Sequence, residues 1–214
     1  LHLHQNLLDA AGRDVLADPL DEHGLSPIGR AFIAGQLAHA RAMCAVLAPT
    51  VNSYKRIGRG FDAPVFIGWG HTNPLAVVRV PRAIRRRPAT GRLARPAADA
   101  ALRLELRCPD PSCNPYLALA VALAAGLDGI RSQLELPEPV EPASGTAEMH
   151  ALAHLDALPG SLGEAIGELE WDAVVRDALG APVYERLLLA KEQEWQEYRR
   201  QISLWELTRY FETA

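Results

Sequence analysis

Between Leu102 and Arg107 the chain alternates strictly: Leu102, Leu104 and Leu106 are apolar, while Arg103, Glu105 and Arg107 are charged. A period of two marks a half-buried β-strand, with one edge toward a core and the other polar. The polar edge would present Arg, Glu, Arg in a row, with neighbours roughly 6.5–7 Å apart. A carboxylate fixed between two guanidinium groups is held ionised, ready to take a divalent cation or to anchor a network. The arginines suit two-pronged capture of carboxylate or phosphate. Read alone, the same row would serve as a surface salt-bridge ladder. Two proline-containing turns follow. Then Asn114 caps a helix with Pro115 at its first position.

Other predicted strands share this habit. Leu1-His2-Leu3-His4 alternates and puts His2 and His4 on one face. Such a pair can serve a metal or a phosphate, or stand as polar residues on an exposed edge. Val65–Trp69 and Leu75–Val80 read as strands joined by a turn at His71-Thr72-Asn73-Pro74, the second strand carrying Arg79. A fold that gathers these edges makes one sheet face polar. A carboxylate and a histidine can share a hard cation while several arginines neutralise phosphates, the equipment for phosphoryl transfer from ATP to a carboxylate. The expected class is α+β: an antiparallel sheet with a polar active-site face, helices behind it, and a helical C-terminal region.

The remaining segments are scaffold and loops. Ser26-Pro27 opens a helix to about Leu47, with an apolar stripe of Ile28, Phe32, Leu37, Ala40, Cys44 and Leu47. Tyr116–Leu127 is a nearly all-apolar helix, too short to span a bilayer. Residues 135–145 read as a Pro/Glu/Ser linker. From Leu158 the pattern is helical, with Ser161 and Glu164 spaced as a capping box, a further helix over 181–198, and a last one through Trp205 and Tyr210. Residues 9–24 and 58–64 read as loops. The second of these carries Asp62, and acid-bearing loops of this kind gate active sites or form solvated hairpins.

Arg82 to Pro96 is basic, but it lacks interleaved aromatics and the chain's net charge is −4, which argues against a nucleic-acid partner. Its 214 residues, 49% hydrophobic, suffice for a sizeable core. Three cysteines suit a reducing cytoplasm, and Cys108 and Cys113 have no histidine near enough in sequence to suggest zinc. The chain opens on Leu1 directly in a strand pattern, which reads as a piece of a longer protein.

Taken together, the blocks His2-x-His4-Gln5, Asn52-Ser53-Tyr54-Lys55-Arg56, Arg79-Val80-Pro81, Arg103-x-Glu105-x-Arg107 and Asn114-Pro115-Tyr116-Leu117 resemble the glutamine synthetase family. So do Ala125-Gly126-Leu127-Asp128-Gly129-Ile130, Leu158-Pro159-x-Ser161-Leu162, Lys191-x-x-Glu194, Trp205-Glu206 and Tyr210. The blocks are collinear over nearly the whole chain, so residues 1–214 resemble the C-terminal portion of the family's catalytic domain. The resemblance implies an ATP-dependent ligase joining glutamate to ammonia or an amine through a γ-glutamyl phosphate, with Mg²⁺ or Mn²⁺. It implies that His2 and Glu105 ligate the cation and that His4 contacts the nucleotide. Arg79 and Arg103 would face phosphate oxygens and stabilise the transferring group. Arg56 and Arg107 would hold glutamate, and Asp62 would be the flap acid that takes a proton from ammonium.

Departures from the family pattern are Asp62 for a Glu, Pro74 for an arginine, Asn6 for a common Ser, and a long 82–101 loop. The tyrosine motif of adenylylation is not evident after Ile130. Trp69-Gly70-x-x-Asn73 is similar to branches using amines larger than ammonia. The alternative is a catalytically weak or inactive paralogue serving as a binding or regulatory subunit. Family members build active sites between subunits of ring-shaped homo-oligomers, with a small N-terminal domain and further metal ligands ahead of His2. The 214-residue piece alone is therefore expected to be inactive.

Overall fold

Four short strands carry the alternating segments into one sheet. The computed structural model describes residues 1–57, 64–81, 102–141 and 155–211. The strands are β1 (Leu3–Gln5), β2 (Phe66–Gly70), β3 (Ala76–Arg79) and β4 (Leu104–Leu106), in the order β1-β4-β3-β2. As expected, β4 runs antiparallel to both β1 and β3, but β2 pairs parallel with β3, so the sheet is mixed. Asn73 shapes the return between β2 and β3: its Oδ1 accepts from the Leu75 N–H at 2.9 Å and its Nδ2 donates to the Val140 carbonyl at 3.0 Å. The register aligns His4, Glu105 and Arg79 across three strands, and Leu3, Leu106 and Val78 in the next row. That second row turns to the core, where Leu106 and Val78 are 0% exposed.

Eight helices are described: α1 (Pro27–Ala38), α2 (Ala40–Leu47), α3 (Ser53–Ile57), α4 (Pro115–Arg131), α5 (Leu162–Trp171), α6 (Ala173–Leu179), α7 (Ala181–Tyr198) and α8 (Leu204–Tyr210). Asn114 caps α4 as its sequence predicts, accepting from the N–H groups of Tyr116 and Leu117. The Ser161–Glu164 pair makes half a capping box: Ser161 accepts from the Glu164 N–H, while the Glu164 carboxylate reaches Gly160 instead. The complete box belongs to Ser203 and Glu206 at α8. Ile28, placed in the apolar stripe by spacing, is exposed, whereas Phe32, Leu37, Ala40, Cys44 and Leu47 are buried.

The predicted Pro/Glu/Ser linker is, over its described part, a strap. The Val140 N–H donates to the Trp69 carbonyl at 2.7 Å, and the Trp69 indole donates to the Pro137 carbonyl at 2.7 Å. Glu141 accepts from the His71 N–H at 2.7 Å and from the Thr72 hydroxyl at 2.7 Å. Ile67 donates to Asp156 and Leu158 to Val65, so the outer edge of β2 is covered rather than left open for pairing. Composition suggested a spacer because prolines lack donors. A segment that lends occasional N–H and carbonyl groups to a strand edge needs few of them.

Spacing predicts one helix from Ser26 to Leu47, but α1 and α2 meet at His39, whose φ of −97° and ψ of 6° leave the helical range. The His39 side chain is clamped, Nδ1 to Asp172 at 2.6 Å and Nε2 to Asp128 at 3.2 Å. The hydrogen bond to Asp172 raises the His39 pKa above the ordinary 6.5; burial opposes this and Asp128 adds to it. A raised folded-state value gives stability that is fully present below the unfolded pKa and is lost as pH rises through the folded one. His39→Gln is therefore expected to lower the Tm most near about pH 6 and least near about pH 9. An equal loss at both, read by thermal melts of the parent and variant, would show that His39 works by packing alone.

Candidate active site

The polar row is built around Glu105. It sits in the middle of an interior strand and is 1% exposed, which demands compensation for its charge. The Nε of Arg79, its neighbour in register on β3, donates to Glu105 Oε2. His2 Nδ1 lies 2.6 Å from Oε1, and Arg107 Nη1 lies 3.7 Å from the same oxygen. Burial lowers the pKa of His2; Arg107 and Arg79 act in the same direction and Glu105 opposes them. Arg107 is itself 5% exposed, with its backbone N–H donated to Val77 at 2.9 Å.

The other expected residues fall around this row. His4 is exposed and pairs in register with Glu105. Arg103 is exposed and immediately precedes β4, two residues from Glu105. Its neighbour Leu102 is held on both backbone groups: the N–H donates to Asp14 at 2.6 Å, and the carbonyl accepts from Asn6 at 2.7 Å. Asn6, a departure from the family pattern, thus fixes the entry to β4.

Arg56 is on α3 and reaches the turn just after Arg107. Its Nη2 donates to the carbonyls of Cys108 at 2.6 Å and Pro109 at 3.3 Å, and its Nε lies 3.7 Å from Asp110. Arg56 is thus tied by the backbone to the turn that follows Arg107. Asp62 and the basic 82–96 stretch lie outside the described residues. Cys44, Cys108 and Cys113 are free and buried.

His2 and Glu105 offer one imidazole nitrogen and one carboxylate. Among the described residues no group of three or more His, Cys, Asp or Glu could hold a metal ion. The donor chemistry fits a hard cation that draws its remaining ligands from phosphate, water or residues other than those described.

Several buried or hydrogen-bonded polar residues around these strands carry little local signal in the sequence. Asp14, in the 9–24 loop, anchors Leu102. His71 belongs to the turn that the sequence places after β2. It is 4% exposed, bonded through Nδ1 to the Val80 carbonyl at 2.8 Å, with Nε2 3.4 Å from His23. Gln36 is fully buried against Gln5. A polar residue inside an apolar stripe was the one available signal, and only Gln36 gave it.

Residues 1–210 match the family model for the glutamine synthetase catalytic domain. The glutamine synthetase of Thermotoga maritima is 44% identical over 212 residues, 98% of this chain and 45% of that protein. That of Halobacterium salinarum is 44% identical over 214 residues, 99% of this chain and 44% of that protein. Among solved structures, the GmaS/ADP complex superposes with a TM-score of 0.81 at 33% identity, covering 99% of this chain and 45% of that one. GmaS without ligand gives 0.80 at 35% identity, covering 98% and 44%. The chain thus spans less than half the length of the proteins it matches. No described helix is long and apolar enough to cross a membrane.

Proposed function

This chain belongs to the glutamine synthetase family, and from that premise we propose that the whole protein is an ATP-dependent ligase joining the γ-carboxylate of glutamate to ammonia. Residues 1–214 would be the C-terminal portion of its catalytic domain. The observation that carries the reading is the buried Glu105, ringed by His2, Arg79 and Arg107 on one sheet face.

In this reading a glutamate oxygen attacks the γ-phosphorus of ATP, ADP leaves, and γ-glutamyl phosphate forms. Ammonia then attacks the acyl carbon and phosphate departs. His2 and Glu105 would hold Mg²⁺ or Mn²⁺. When bound, the cation supplies charge neutralisation at phosphate oxygens. His4 lies on the same face for the nucleotide. Arg79 and Arg103 direct fixed positive charge at the transferring group, where charge spreads over the phosphoryl oxygens. Arg107 and Arg56 hold the glutamate carboxylate, and Asp62 takes the proton released by ammonium.

Ammonia is preferred over a larger amine on two grounds. The relatives named glutamine synthetase are 38–44% identical in sequence, against 33–35% for GmaS in superposed structures. Trp69, part of the motif similar to larger-amine branches, is 0% exposed with its indole N–H committed to Pro137, so it is a core residue and not a pocket wall. We place the protein in the cytoplasm, as its three unpaired cysteines suit. We expect a ring-shaped homo-oligomer; the apolar Ile202, Leu204, Trp205 and Phe211 all stand exposed.

The test is phosphate release by the complete protein with ATP, Mg²⁺ and glutamate, comparing ammonium with a panel of amines. Turnover fastest with ammonium is expected. Turnover with a larger amine alone would move the acceptor. Silence throughout would favour the non-catalytic subunit, a second reading motivated by Asp62 in place of the usual Glu and by Pro74 where the family usually has an arginine. In the same assay Arg107→Lys is expected to raise the glutamate KM about tenfold or more with the ATP KM little changed, because an ammonium cannot reproduce a two-pronged guanidinium contact. An unchanged glutamate KM would remove Arg107 from that role.

A further inference from the structure

His2 immediately precedes β1 and His4 lies within it, yet β1 is three residues long and, among the described residues, pairs on one side only, with β4. So short an edge strand does not fix its own height above the helical layer. Gln5, which follows His4 and so faces the other way, supplies a tie. Its side chain meets Gln36 of α1, which is 0% exposed. Gln36 Nε2 donates to Gln5 Oε1 at 2.8 Å and to the Ala122 carbonyl of α4 at 3.0 Å, and Gln36 Oε1 accepts from Gln5 Nε2 at 3.3 Å. A carbonyl can only accept, so Ala122 decides which end of the Gln36 amide carries the protons, and that choice orients Gln5. A buried amide is costly unless it is bonded, and a leucine could fill such a space without that cost.

We propose that the Gln36–Gln5 amide pair is a positioning device: by tying β1 to α1 and α4 it sets where His2 stands relative to Glu105. Gln36 touches neither substrate nor cation and acts through β1. The inference rests on the assignment of His2 and Glu105 to a divalent cation. Residues that orient metal ligands from behind typically change metal affinity about 10- to 100-fold when removed.

The experiment is Mn²⁺ titration of the complete protein, read by the EPR signal of free Mn²⁺. Gln36→Met keeps length and apolar fill but removes the amide; it should raise the Mn²⁺ Kd about tenfold while the glutamate KM stays within twofold. Gln5→Met, on the half-buried side of the pair, should do the same and serves if Gln36→Met does not fold. Ile166→Val, a conservative change in buried α5, should lower the Tm and leave the Mn²⁺ Kd unmoved, which separates positioning from general loosening. Two Gln variants that lower the Tm but leave the Mn²⁺ Kd within twofold of the parent, while Glu105→Gln raises it, would overturn the positioning role alone. A parent that binds no Mn²⁺, or a Mn²⁺ Kd that Glu105→Gln leaves within twofold of the parent, would overturn the cation assignment and this inference with it.

Discussion

Glu105→Gln in the complete protein is expected to cut ligase turnover by about 10²- to 10³-fold, the loss typical when one fixed electrostatic partner of a transition state is removed. The variant keeps the volume of the side chain but not its charge. Arg79 and Arg107 would then face each other across a neutral amide, and His2 would lose its carboxylate. One amide oxygen can still accept from one of the three, so the fold should survive. Glu105→Ala offers no acceptor at all. Breaking a buried ion pair by removing one side costs about 3–5 kcal/mol, so it should be unstable as well as inactive. Phosphate release and urea denaturation, run on both variants, separate the two effects. Turnover of Glu105→Gln within threefold of the parent would mean that His2, Arg79 and Arg107 form a structural network around this carboxylate and that the chemistry lies elsewhere.

Gly35→Ala should destabilise the protein by about 1–3 kcal/mol, a reversal of the usual gain when alanine replaces a helical glycine. At Gly35, α1 crosses α4 backbone to backbone. An added Cβ would stand 2.7 Å from the Gly129 nitrogen and 2.8 Å from its Cα, and would meet the Ala125 carbonyl. These are main-chain atoms, so no rotamer change relieves the clash and the helices must separate. Separation would also pull Gln36 away from Ala122 in the same seam. Gly35→Val adds bulk and a poorer helix former, and should leave little folded protein. Gly167 in α5 is the control, since a Cβ there meets nothing within 4 Å. Gly167→Ala should be stabilising by about 0.5–1 kcal/mol. If denaturation midpoints moved the same way for Gly35→Ala and Gly167→Ala, the tight crossing would be wrong.

The legible parts of the site were those written in local periodicity. The alternation at 102–107 gave β4 and its charged edge, the pattern at 1–4 gave β1, and Asn114-Pro115 gave the start of α4. Collinear motifs then brought the family and the candidate roles. The hidden parts were pairings between distant segments. Nothing local at Asp14 marks it as the anchor of Leu102, 88 residues away, and nothing at His39 announces Asp172, 133 residues away. At His39 the chain leaves a helix that spacing alone would have continued, and carboxylates from α4 and from the junction of α5 and α6 hold its side chain.

The sequence by itself determined the amphipathic elements, the charged face of β4 and the family, since each is encoded by residues near one another along the chain. Only the tertiary structure decided that β2 runs parallel to β3, that a proline-rich strap covers its edge, and that His2, Arg79 and Arg107 surround one carboxylate. The physical reason is that a buried charge or edge takes its partners from whatever the packed core brings within hydrogen-bond reach. That proximity is set by the sum of all the contacts, including two glycines that let α1 and α4 touch, and not by any residue's neighbours in sequence.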